Sequence, residues 1–239
     1  MWVGQQLADG LDFWGFLGSL ILGGIILGIY TGLLGYVGAK TGLSLDLLSQ
    51  RAFGEKGSYL PSAMTSFTQI GWFGVGSFVS GGTATPNFAR FAKNGKAGAI
   101  TTVVAFFIGN SLMFFFGAVS SIFVGGNDIF EVMVRLNLFY LAVLVLGLNI
   151  WTTNDNALYT AGLGLANIFH QRKKPMVLLS GIIGTVASVW LYYNFCGWLN
   201  ILNCTLPPVG MILVLAYFMN KEDFETDQPK LKTIDWFAV

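Results

Sequence analysis

Long apolar runs broken by short polar stretches organise the whole chain. A membrane helix needs about 20 mostly apolar residues. The runs that fit are 13–39, 59–88, 98–124, 132–168, 176–196 and 206–219. The last is short unless its helix begins before Pro207. Short connections between the runs predict one transmembrane domain over 1–239, with an all-α, polytopic membrane helix bundle as its fold.

Within the fourth run the pattern fails in one place. The stretch Asn149-Ile-Trp-Thr152-Thr153-Asn154-Asp155-Asn156-Ala-Leu-Tyr159 puts amides, hydroxyls and a carboxylate into an apolar segment. Buried without partners, such groups cost several kcal/mol. An ionisable residue inside a membrane is therefore a functional-site candidate, and Asp155 is the hardest to dismiss. The first run differs, with small residues every fourth position at Gly15, Ser19, Gly23 and at Gly24, Gly28, Gly32. That spacing lets helices approach closely and reads as packing, not as a ligand signal.

Composition sharpens this picture. The 239 residues are 54% hydrophobic and 10% charged, against about 25% charged in soluble domains. A net charge of +1 gives no footing for nucleic acid. Cys196 and Cys204 flank a short connection and read as two buried free thiols or as a disulfide, the thiols being preferred. His170, beside Arg172, reads as a solvated loop residue. There is no His/Cys metal spacing, no Gly-x-Ser-x-Gly elbow and no phosphate-cradling Gly-Lys motif, so nothing points to an enzyme.

Lys and Arg sort the loops. The loops with Arg51, Lys93, Lys173 and Lys230 are expected in the cytoplasm; 1–12, 125–131 and 197–205, without Lys or Arg, face outward. The 59–88 run conflicts with this scheme, because it has a cationic loop on both sides. A hairpin would satisfy it, but each arm of about 15 residues reaches only ~22 Å against a ~30 Å core. The run reads as two half-helices joined.

Several strings carry a resemblance. They are Gly28 to Leu43 (Gly-Ile-Tyr-Thr-Gly-Leu-Leu-Gly-Tyr-Val-Gly-Ala-Lys-Thr-Gly-Leu), Thr68-Gln69-Ile-Gly-Trp72-Phe-Gly, Gly76-Ser77-Phe78-Val-Ser80-Gly81-Gly-Thr83, Phe88-Ala-Arg90-Phe, Phe107-Ile-Gly-Asn110-Ser-Leu-Met and the Asn149–Tyr159 run. Together they resemble the nucleobase–cation symporter family over essentially the whole chain. The resemblance implies a five-plus-five inverted-repeat transporter with broken helices, whose exposed backbone ends serve ligand and ion. It implies a secondary active transporter of the bacterial inner membrane, coupling cytosine to sodium by alternating access, with no cofactor beyond the coupling ion. Trp72 and Phe78 would sandwich the base, Gln69 would bond its edge, Ser77 and Gly81 would approach it closely, and Asn154 and Asp155 would complete the polar side. The Asn149 carbonyl, Thr152 and Thr153 would form one wall of a sodium site. The residues alone leave other readings open: Trp72 and Phe78 as packing aromatics, and Thr152 and Thr153 back-bonded to their own helix.

Against the family pattern the chain is expected to lack three pieces: part of the first helix before Met1, helices between the Trp72 and Ser77 motifs, and helices after Trp236. The internal join leaves Trp72 and Phe78 six residues apart. On a continuous helix that is ~9 Å of rise and ~120° of rotation, which cannot clamp two faces of one ring. The alternative expectation is thus a truncated, non-transporting membrane protein, or one that self-associates to complete its bundle.

Overall fold

The computed structural model describes residues 11–75, 84–124, 129–226 and 231–235. Among these the chain is helical, in the order α1 Phe13–Thr41, α2 Leu45–Phe53, α3 Tyr59–Val75, α4 Pro86–Ala89, α5 Gly95–Val124, α6 Ile129–Arg135, α7 Phe139–Phe169, α8 Lys173–Tyr193, α9 Phe195–Met219 and α10 Lys221–Glu225. Among the described residues, four stretches are long and apolar enough to cross a membrane: Phe13–Thr41, Gly95–Val124, Lys173–Leu191 and Asn200–Met219. The protein is an all-α, multi-pass membrane helix bundle.

Three details refine the sequence reading. The 206–219 segment does begin earlier, since α9 runs through Pro207 and Pro208. The two prolines leave the carbonyls of Asn203 and Cys204 without their helical donors, which a membrane helix tolerates when its surroundings serve them. The 132–168 run holds a break, because Asn137 takes a left-handed φ of 60° between α6 and α7. Asn tolerates that conformation better than most residues. Cys204 is a free thiol at the surface of α9, where burial was expected. A thiol on a lipid-facing helix needs no polar partner, so its exposure is no strain.

The chain divides into two compact units. The first comprises 1–29 and 101–152. Its packing is of the small-residue kind: Gly24 lies against the Phe107 ring, at 3.1 Å from where a Cβ would stand, and Gly28 lies near Val103 and Phe107. Gly23, in the parallel row, faces nothing within 4 Å. Most of the α7 residues in this unit, from Phe139 to Leu148, are exposed apolar side chains.

The second unit comprises 30–100 and 153–239. One apolar cluster joins Leu34 and Val37 of α1 to Leu45, Leu48 and Phe53 of α2, Leu213 and Tyr217 of α9 and Phe224 of α10. A second gathers Ala157, Leu191, Trp198, Leu202 and Leu206. Ser44 caps α2 by accepting from Leu47 N. Past α2 the chain turns at Gly54, φ 86°. There the returning segment 231–235 docks: Glu55 N donates to Lys232 O (2.7 Å), Lys56 N to Thr233 O (2.8 Å) and Asp235 N to Phe53 O (2.8 Å). A Cβ at position 54 would lie 2.6 Å from the Lys232 carbonyl, so only glycine fits.

Candidate functional site

The polar run lies on α7 without a break in the helix: Asn149 to Tyr159 are all helical. Asn149 and Thr152 fall in the first unit, Thr153, Asn154 and Asp155 in the second. Thr152 donates to the Leu148 carbonyl (3.0 Å) and the Asn149 carbonyl (3.2 Å), which is the back-bonded arrangement. A hydroxyl that donates this way keeps its oxygen lone pairs. Asn149, Thr152 and Asp155 are exposed, while Thr153 and Asn154 are half-buried.

Gln69 is buried on α3. Trp72 follows it by three residues on the same helix, its side chain outside the described residues. Ser77, Phe78 and Gly81 lie outside the described residues altogether.

Cross-helix contacts fix how α3 and α7 run past one another in the second unit. Ser66 Oγ donates to the Ala161 carbonyl at 3.2 Å, and Asn167 Nδ2 donates to Ser62 Oγ at 2.9 Å and Ser58 Oγ at 3.2 Å. Rising residue number on α3 therefore meets falling number on α7, so the pair is antiparallel. At about 1.5 Å per residue on both helices, Gln69 comes level with about residues 158–160 and Trp72 with about 155–157. The backbone that carries Trp72 thus stands at the height of Asp155. Close packing sets this register: a Cβ at Gly164 would lie 2.1 Å from Ser66 Oγ and 2.8 Å from the Ser62 carbonyl.

Further along the same ladder lies a polar cluster that the sequence reading did not single out. Ser62 Oγ donates to Asp46 Oδ1 (2.6 Å), and Gln50 Nε2 donates to Asn167 Oδ1 (2.5 Å). Burial pushes the Asp46 carboxyl from 3.8 up to about 6, against the Ser62 hydrogen bond and the Arg90 charge, which pull it down. The signal was present, since Ser58, Ser62 and Ser66 recur every fourth residue and form one polar stripe on a helix. Beside it, Asn87 Oδ1 accepts from Leu45 N at 2.8 Å.

Four helices long and apolar enough to cross a membrane, beside a further helix that carries a polar run, define a membrane protein with a polar site to explain. Comparison with known proteins gives the class. Residues 1–85 and 74–229 match the family described as permease for cytosine/purines, uracil, thiamine and allantoin. The chain belongs to this family, which is one of membrane permeases. It is 36% identical to the cytosine permease of Escherichia coli (strain K12) over 330 positions, spanning 100% of this chain and 79% of that protein. The cytosine permease of Escherichia coli O157:H7 gives the same figures. The allantoin permease of Bacillus subtilis (strain 168) is 34% identical over 82 residues, 34% of this chain and 16% of that protein.

The alignment also speaks to the join. It runs over 330 positions while the chain has 239 residues, so about 91 aligned positions carry no residue of this chain. The two family-matching stretches meet and overlap at 74–85, between the Trp72 motif and Arg90.

Proposed function

We propose that this permease binds cytosine and couples it to sodium by alternating access in the bacterial inner membrane, with the loops holding Arg51, Lys93, Lys173 and Lys230 in the cytoplasm. One observation carries the reading: Asp155 and Asn154 share a level with the α3 turn that holds Trp72, one turn beyond Gln69. An indole, an amide and a carboxylate are the groups a flat base would take as its stacking partner and hydrogen-bonding edge. Phe78, Ser77 and Gly81 would supply its other side. Asn149, Thr152 and Thr153 supply hard oxygen donors of the kind an alkali cation takes.

A second reading is favoured by the aligned positions that carry no residue of this chain: it binds but does not accumulate cytosine unless a second copy completes the bundle. Uptake of radiolabelled cytosine, against an empty-vector control, tests both. Sodium-dependent uptake that Asp155→Ala abolishes supports the transporter. No uptake, with sodium-dependent binding to the purified chain, supports the second reading. Neither uptake nor binding sinks both.

A further inference from the structure

Tyr159 stands one helical turn after Asp155 on α7, and side chains from two other stretches converge on it. Arg90 donates from Nη2 to its hydroxyl. Lys173 Nζ lies 3.4 Å from the centre of its ring, within cation–π range. The Phe88 ring stands 6.2 Å away, tilted by 37°. Two cations thus meet on one neutral phenol, an arrangement that pulls apart without the phenol between them. Arg90 has little slack of its own. Its guanidinium lies over Phe91 at 4.7 Å, and its Nε is buried without a hydrogen-bond partner. The charge that faces it from α2 is the Asp46 carboxylate.

The stretch that carries Arg90 is itself held fast. Asn87 takes the Leu45 amide, and Pro86 packs so closely on α1 that a Cβ at Gly38 would lie 2.7 Å from Pro86 Cα. Tyr159 therefore ties α7 to a fixed frame at one end and to the start of α8 at the other. Aromatic packing alone asks only for a phenylalanine here; the hydroxyl is what engages Arg90.

We propose that Tyr159 is a positioning residue: clamped by Arg90 and Lys173, it fixes the height and rotation of Asn154–Asn156 on α7. This rests on the transport reading. The test is Tyr159→Phe, which keeps the ring for Lys173 and Phe88 and removes only the bond to Arg90. Hydrogen–deuterium exchange on the purified full chain is compared with binding of radiolabelled cytosine. Exchange over 153–160 is expected to rise about tenfold, with exchange over 13–29 unchanged. Arg90→Gln should give the same local rise and Arg90→Lys a smaller one. Unchanged exchange over 153–160, or a rise spread evenly along the chain, overturns the clamp. A parent chain that binds no cytosine overturns the transport reading instead, whatever the exchange shows.

Discussion

The two units of this chain hold their helices together by different means. In the first, α1 and α5 meet through glycines and a phenylalanine ring, and the Thr152 hydroxyl of α7 bonds its own helix. In the second, α3 and α7 are joined by a ladder of side-chain bonds from Ser66–Ala161 to Asn167–Ser58, ending on the buried carboxyl of Asp46. Small-residue packing sets register through shape, while a polar ladder also penalises every slipped register by leaving donors unpaired. Of the candidate substrate residues, Gln69, Trp72, Asn154 and Asp155 sit on the two helices that the ladder joins.

The largest test of that contrast is steric. Gly164→Leu should collide with Ser66 and the Ser62 backbone and cost several kcal/mol, seen as lost yield or a fallen melting temperature in detergent. Gly23→Leu, in open space on α1, should shift stability by less than ~1 kcal/mol. Similar losses from both would erase the distinction.

Next comes pH. The Asp46 carboxyl has its folded pKa, about 6, above the 3.8 of an unperturbed carboxyl. The folded chain therefore holds the proton more tightly, and this contribution is fully present below pH 3.8 and lost as pH rises through 6. From pH 5 to 7 stability should fall by roughly 1–2 kcal/mol on this account. Asp46→Asn should flatten the slope; a parent whose melting temperature rises from pH 5 to 7 and is insensitive to Asp46→Asn would contradict it.

Asn167→Ala should cost about 1–2 kcal/mol, because it strips Gln50, Ser58 and Ser62 of a shared partner at once. Asn167→Ala combined with Ser62→Ala should cost less than the two singles added, since they belong to one network. Strict additivity would mean that the bonds do not form a ladder. The smallest expected effect on stability is that of Thr153→Ala, less than ~0.5 kcal/mol. It should nevertheless weaken the sodium dependence of cytosine binding; an unchanged sodium response would assign the hydroxyl to helix back-bonding.

Apolar length made α1 and α5 legible from the sequence, because a span announces itself residue by residue. It could not find the break at Asn137, where apolar residues continue on both sides and only one left-handed backbone angle ends the helix. Nor could it fix the start of α9, since Pro207 and Pro208 look like a boundary until the lipid-like surroundings let the helix run through them. The polar run at 149–156 was legible because it breaks a pattern. The contacts that hold its helix were not: Asn167 meets Gln50, Ser58 and Ser62, and Arg90 and Lys173 meet Tyr159, because of which helices touch, and a period along one helix says nothing of its neighbour.

The docking of residues 231–235 on the turn after α2 has a consequence in time. The amides of Glu55 and Lys56 find their acceptors on Lys232 and Thr233, about three-quarters of the chain later. At 5–20 residues per second of synthesis, that wait is roughly ten to thirty seconds. Through it the Gly54 turn carries open donors, which water or a membrane headgroup must serve. The start of α3 is therefore finished last, although it is made early: the order in which this protein is written is not the order in which it closes.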